Sequence, residues 1–208
     1  MKIAIVGNGS FGSFLKELIS PHFEICDTAD SIILAVPLSA YEKIAALNKG
    51  KHLINVCSVQ NPSTDVLLNY TDKVTSIHPL FGRRTPAEKR NSILTYSYNR
   101  HSEDNDTWWT PTINSESEFL KIFGKVSKII IHEPTGVEFS PATHDVLMAK
   151  THVSAIMAAK QLKVFVDRVK DVPDEMIPNS FRLMREFVKT LDDMPPGTVE
   201  SIMSNQYI

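Results

Sequence analysis

Several things are scarce in this chain, and each shortage excludes a class of protein. Its 208 residues hold two cysteines, Cys26 and Cys57, each in an apolar, strand-like run. Two such residues make no disulfide framework, and no CxxC or Cys/His spacing suited to a metal is present. They read as small core residues of a reducing compartment. There is no basic excess: the net charge is −2. That argues against a nucleic-acid partner, which needs Lys and Arg to neutralise phosphates. The short pairs Arg83–Arg84 and Lys89–Arg90 read as solvated surface. No apolar run approaches the ~20 residues of a membrane span. Residues 1–6 lead straight into a glycine turn, with no room for a cleavable apolar leader, so the expectation is a cytoplasmic protein with no membrane partner. There is no internal repeat and no low-complexity tract.

Glycine is also sparse, yet three of the eight glycines fall within residues 7–12. They form GxGxxG with Ser10 and Phe11 between the second and third, after the short apolar run Ile3-Ala-Ile-Val6 and before a helical pattern. In that context Gly7 permits a tight turn, Gly9 lets the backbone approach a pyrophosphate, and Gly12 allows close helix–strand packing. The helix N-terminus then offers free N–H groups and a positive dipole end to the phosphates. An acid about twenty residues further on is expected to accept from the adenosine ribose hydroxyls and to repel a 2′-phosphate. Asp27 stands there, twenty positions after Gly7. NAD is the cofactor expected, in preference to NADP.

The rest of the N-terminal part fits an α/β pattern. β-Branched runs over 2–6, 23–27, 31–36, 52–57, 74–77, 92–96 and 128–131 alternate with helical patterns over 11–20, 39–48, 62–70 and 116–124. No space remains between 27 and 31 for the usual second helix and third strand. Residues 100–106 are polar and acidic and read as a surface loop. From Ser140, a plausible N-cap before Pro141 at the first helical position, one helix is expected to run to about 170. Its apolar residues go nearly all the way round, which asks for burial on several sides and suggests a homodimer. Helices near 179–193 and 198–206 follow. The expected class is α/β, a Rossmann-type, mostly parallel sheet over 1–137, with a short all-helical domain over 138–208 for substrate binding and dimerisation.

Three segments could meet at the carboxyl ends of the strands, where such sheets bind ligands. They are Asn55-Val-Cys-Ser-Val-Gln60, Ser76-Ile-His-Pro-Leu-Phe-Gly82 and Thr143-His-Asp145. A lone histidine is more often structural. A serine and a histidine at the ends of successive strands of one nucleotide domain point instead to chemistry on a small molecule.

With VGNGSFGSFL at the N-terminus, ILAVP at 33–37, SVQ at 58–60, HPLFG at 78–82 and HD at 144–145, the sequence resembles the prephenate dehydrogenase family of tyrosine biosynthesis, which includes arogenate dehydrogenases. Order and spacing agree over roughly residues 1–206, and HPLFG is the most specific element. The resemblance implies NAD-dependent oxidative decarboxylation of a cyclohexadienyl substrate. It implies that His78 hydrogen-bonds the ring hydroxyl as catalytic base, assisted by Ser58, and that His144 lines the substrate pocket. Val36 and Pro37 of ILAVP join Gly7, Gly9, Ser10, Phe11, Gly12 and Asp27 as cofactor-binding positions. A histidine, with an ordinary pKa of ~6.5, is unprotonated near pH 7 as that role needs.

The sequence departs from the family pattern at identifiable places. Gln60 stands where SVK has its lysine, and Asn55 where an acid is usual. The arginine that holds the substrate carboxylate falls at or beside Lys189 and Thr190, with Arg185 and Arg182 on preceding turns. Gln60, Lys189 and Arg185 are therefore the expected substrate contacts beside His144. The alternatives are a related dehydrogenase or reductase acting on another small anion, or a catalytically silent nucleotide-binding paralogue.

Overall fold

In the computed structural model, the backbone is described for residues 1–103, 106–111 and 117–208, and side chains for 1–97 and 117–208. The chain divides into two compact units, Met1–Asp145 and Val146–Ile208.

The first unit is built on β1 (Lys2–Val6), β2 (Glu24–Ile25), β3 (Ser31–Leu34), β4 (His52–Asn55), β5 (Val74–Pro79), β6 (Asn91–Thr95) and, after a separate two-stranded hairpin, β9 (Lys128–Ile130). The sheet order is β2-β1-β3-β4-β5-β6-β9. The first five strands are mutually parallel, while β6 runs antiparallel to β5 and parallel to β9. Alternate residues point to opposite faces of a strand, and the core follows that rule. Ile3, Ile33, Ile54, Ile77 and Leu94 face α1 (Ser10–Ile19) and α4 (Glu118–Phe123) through Phe14, Leu15, Phe119 and Phe123. Ala4, Ile32, Leu34, Leu53 and Val74 face α2 (Tyr41–Leu47) and α3 (Gln60–Leu68) through Tyr41, Ala45 and Leu67.

Two expectations need correction. The second strand is two residues long rather than five. β2 pairs the lower half of β1, Lys2 with Glu24 and Ile3 with Ile25, whereas β3 pairs its upper half on the other side from Ala4 onward. The chain must cross over within 26–30, so Asp27 sits in the exposed crossing turn, two residues past the strand. The polar stretch 100–106, read as a loop, instead falls largely in the hairpin of β7 (Tyr98–Glu103) and β8 (Asp106–Pro111), with 104–105 outside the described residues. A polar strand with no apolar alternation carries no period-2 signal, and pairing with the aromatic, β-branched run 107–110 decides its conformation.

The helix starting at Pro141 is capped as expected. Ser140 Oγ accepts from the Thr143 N–H at 3.1 Å, and Thr143 Oγ1 accepts in return from the Ser140 N–H at 3.0 Å. It runs as α5 (Pro141–Met148), a π-helical turn (Ala149–Val153) and α6 (Ser154–Arg168). The boundary between the compact units falls inside α5, so its first turn, with His144 and Asp145, belongs to the sheet unit. The second unit adds α7 (Asn179–Asp192) and α8 (Pro196–Met203) around a small core of Val153, Ile156 and Ile202. Among the described residues, no helix is long and apolar enough to cross a membrane.

Candidate active site at the carboxyl edge of the sheet

The chain leaves β1 toward β2 on one side and returns as β3 on the other, so the order reverses at β1/β3. Ligands of open α/β sheets bind outside such a switch point, and the glycine turn lies there. Gly7 has φ +121°, and a Cβ on it would stand 2.1 Å from the Ala35 carbonyl oxygen. On Gly12 a Cβ would come within 2.3 Å of the Gly7 carbonyl oxygen. These two glycines thus let turn, helix and β3 touch. Gly9 differs: a Cβ there would meet nothing within 4 Å. Its backbone faces open space, and as N-cap of α1 it has no side chain to satisfy the first-turn N–H groups. Unfilled donors beside an open glycine fit an incoming anion. Ser10 is exposed and Phe11 half-buried at this turn, while Val36 and Pro37 follow β3 at the same edge. The residues present therefore fit a dinucleotide pyrophosphate, with Asp27 exposed at the end of the neighbouring β2 segment.

The second half of the site is a line of buried polar groups. His78, in β5, is 3 % exposed, and His144 and Asp145 are fully buried. His78 Nδ1 lies 3.0 Å from His144 Nε2, and His144 Nδ1 lies 2.8 Å from Asp145 Oδ1. The same carboxylate accepts the backbone N–H of Gln60 at 2.7 Å through Oδ1 and that of Asn61 at 2.8 Å through Oδ2. Asp145 thereby caps α3 from 85 residues away in sequence, where the N-cap residue Val59 has no polar side chain. Three charge-assisted bonds and the helix dipole compensate a carboxylate removed from water. Ser58 lies partly exposed in the turn between β4 and this helix.

Behind that turn Asn55 forms a buried hub. Its Oδ1 accepts from the Tyr41 hydroxyl and the Cys57 N–H, both at 2.9 Å, and its Nδ2 donates to Ser63 Oγ at 2.7 Å. Burial pushes the Tyr41 hydroxyl well above the ordinary tyrosine range, so it serves as a fixed donor. Gln60 donates to the Cys57 carbonyl and accepts from Thr95 Oγ1 at 3.3 Å and Asn55 Nδ2 at 3.4 Å. The two departures from the SVK pattern thus meet each other. Two neutral amides stand together where an acid and a lysine were expected, which avoids desolvating a buried ion pair.

These bonds bear on three of the expected substrate contacts. Gln60, expected as a substrate contact, is fully buried with both ends of its amide engaged by protein groups. His144, expected to line the substrate pocket, has its ring nitrogens facing His78 and Asp145. The guanidinium of Arg185 is held by Asp174 at 2.5 Å and by the carbonyls of Val169 and Val172 just past α6, at 2.9 Å and 3.3 Å. It ties the α6 terminus to α7 and is no free carboxylate anchor. Lys189 is exposed on α7. Asp145 and Asn55 went unassigned in the sequence. The only signal for Asp145 was its place beside His144 in the first turn of a helix.

No family model matches the chain, and no curated protein matches it. Solved structures do. A prephenate dehydrogenase candidate from Corynebacterium glutamicum aligns with TM-score 0.64 and 15% identity, over 98% of this chain and 74% of that one. Prephenate dehydrogenase from Aquifex aeolicus, solved with hydroxyphenyl propionate and NAD+, aligns with TM-score 0.57 and 14% identity, over 99% and 83%. Pyrroline carboxylate reductase from Plasmodium falciparum, solved with NADP, gives TM-score 0.53 and 14% identity, over 99% and 80%. The chain shares the Rossmann-type fold of these proteins.

Proposed function

We propose that the chain is an NAD-dependent dehydrogenase that oxidatively decarboxylates prephenate or arogenate, with His78 as the catalytic base. The observation that carries this reading is the Asp145–His144–His78 line, which ends in β5 at the same sheet edge as the glycine turn. A nicotinamide dinucleotide held at that turn would take up the hydride. The protein's part is to draw off the proton of the ring hydroxyl at His78 as hydride leaves the same carbon. The ring carboxylate departs as carbon dioxide and the ring becomes aromatic. Ser58, partly exposed in the turn after β4, is available to hydrogen-bond the same hydroxyl. A base positioned in this way contributes roughly 10²–10⁴ in rate.

Mixing protein, substrate and cofactor and following NADH absorbance tests the reading. Turnover of prephenate or arogenate with NAD+ is expected, and silence with both substrates and both cofactors would overturn it. Asp27 supports NAD+ over NADP+ by at least tenfold in affinity, about 1.4 kcal/mol, measurable by calorimetry. Because Arg185 is held inside the helical unit, a second reading has support: a related dehydrogenase or reductase acting on a different small anion. Activity on such a compound but not on prephenate or arogenate would establish that one.

The exposed apolar side chains of α6 and α7, Met157, Val164, Phe165 and Leu183, support a homodimer formed through the helical unit. Light scattering of a clean monomer at high micromolar concentration would exclude it. A reducing, cytoplasmic setting suits Cys26 and Cys57, which form no disulfide.

A further inference from the structure

We infer that Asp145 is a positioning residue that acts through His144 to select the tautomer of His78 carrying its proton on Nδ1 and its lone pair on Nε2. Protonation logic along the line leads to this. An ionised carboxylate can only accept, so at 2.8 Å His144 Nδ1 must be the donor. With His144 neutral, a proton on Nδ1 leaves Nε2 bare, so His144 accepts from His78 across their 3.0 Å contact. His78 Nδ1 is therefore protonated, and its lone pair lies on Nε2. Moving the proton of either neutral ring to its other nitrogen would set two donors or two lone pairs against each other in a buried place, which costs a hydrogen bond's full desolvation.

Asp145 has a second hold that gives this arrangement its rigidity. Its carboxylate cannot rotate to release His144 without abandoning the N–H groups of Gln60 and Asn61 at the start of α3. The α3 cap thus fixes the carboxylate, the carboxylate orients His144, and His144 orients His78. When His78 takes up a proton at Nε2, the imidazolium keeps its Nδ1 donor bond to His144, with the Asp145 carboxylate next in line to favour the positive charge. That is the part an aspartate plays behind a histidine base in hydrolase triads, extended here by one more ring.

The kinetic arm of the test rests on the dehydrogenase reading, and the spectroscopic arm does not. In the wild-type chain with 15N-labelled histidine, two-bond 1H–15N correlation spectra at pH 8 report which ring nitrogen bears the proton. The His78 signals are assigned by their loss in His78→Asn. His78 is expected as the Nδ1–H tautomer, and an Nε2–H tautomer overturns the inference whatever the protein's substrate. In Asp145→Ala the preference should collapse to a mixture. With an active substrate, that variant should lose at least tenfold in kcat while KM and the Kd for NAD+ stay within about twofold. Unchanged kcat in a folded Asp145→Ala protein, or an undisturbed His78 tautomer in it, also overturns the inference. If the variant fails to fold, the wild-type tautomer alone decides. Absence of any dehydrogenase activity sinks the functional reading and leaves the tautomer measurement standing.

Discussion

Two histidines on adjacent strands, at opposite ends of the sheet, stand in contrasting environments. His52 opens β4 at the amino end. Its Nδ1 contacts Ser31 Oγ at 3.1 Å, its Nε2 contacts Thr75 Oγ1 at 2.7 Å, and its ring meets the edge of Phe119. Burial, with a smaller contribution from Lys73, pushes its pKa down to about 4. Its contacts are hydroxyls and an aromatic edge, and the one charge acting on it is positive, so nothing there stabilises an imidazolium. His78 stands at the carboxyl end of β5, linked through His144 to a carboxylate. One environment keeps a histidine neutral; the other sets a histidine against a second ring and, through it, a carboxylate. His52 is partly buried and His78 is 3 % exposed, and what lies behind each ring separates scaffold from the base proposed above.

The largest effect that can break this comparison is at His78. His78→Asn keeps shape and polarity but removes the base, and kcat should fall by roughly 10²–10⁴ with NAD+ affinity nearly unchanged. A variant that melts early yet turns over normally would show that His78 is scaffold like His52.

His52 should govern stability against acid instead. Its pKa is near 6.5 unfolded and about 4 folded, so the unfolded chain binds more protons between those values. Stability from this site is complete above about pH 6.5, falls as the pH drops, and reaches its floor below about 4. The loss is at most about 3 kcal/mol. Denaturant melts of wild type and His52→Gln at pH 7.5 and pH 4.5 check it. The variant should show the smaller pH dependence, and an identical slope in both would remove His52 from the account.

The glycines sharpen the carboxyl end further. Gly7→Ala must clear a 2.1 Å clash with backbone at a positive φ, and should lose more than ~2 kcal/mol of stability. Gly9→Ala meets nothing, so it should melt like wild type while binding NAD+ at least tenfold more weakly, about 1.4 kcal/mol. If Gly9→Ala binds NAD+ normally, the turn is a packing device only.

The smallest effect belongs to the helical unit. Arg185→Ala should lower Tm without moving KM, since its guanidinium is held by Asp174 and two backbone carbonyls. Lys189→Ala should raise KM severalfold with kcat nearly constant, the pattern of lost uniform binding. The reverse outcome would return the carboxylate anchor to Arg185.

Much of this was legible in order of residues alone. GxGxxG after a strand is a local signal, because the tight turn, the close approach and the helix start all lie within six positions. Outside the hairpin of β7 and β8, strand and helix identities were likewise readable from periodicity, and the absence of a second helix between 27 and 31 from simple counting. What the sequence could not supply was pairing across distance. The length of β2 depended on which half of β1 each neighbour occupies. The neutral roles of Asn55 and Gln60 depended on their meeting each other and Thr95. Arg185, expected as an anchor, is held by Asp174 and by carbonyls just past the C-terminal end of α6. Above all, the 85-residue link from Asp145 to the start of α3 appears in no local pattern. A buried carboxylate is stable only where several donors converge on it, and only the tertiary structure brings a helix terminus and two histidines to one point.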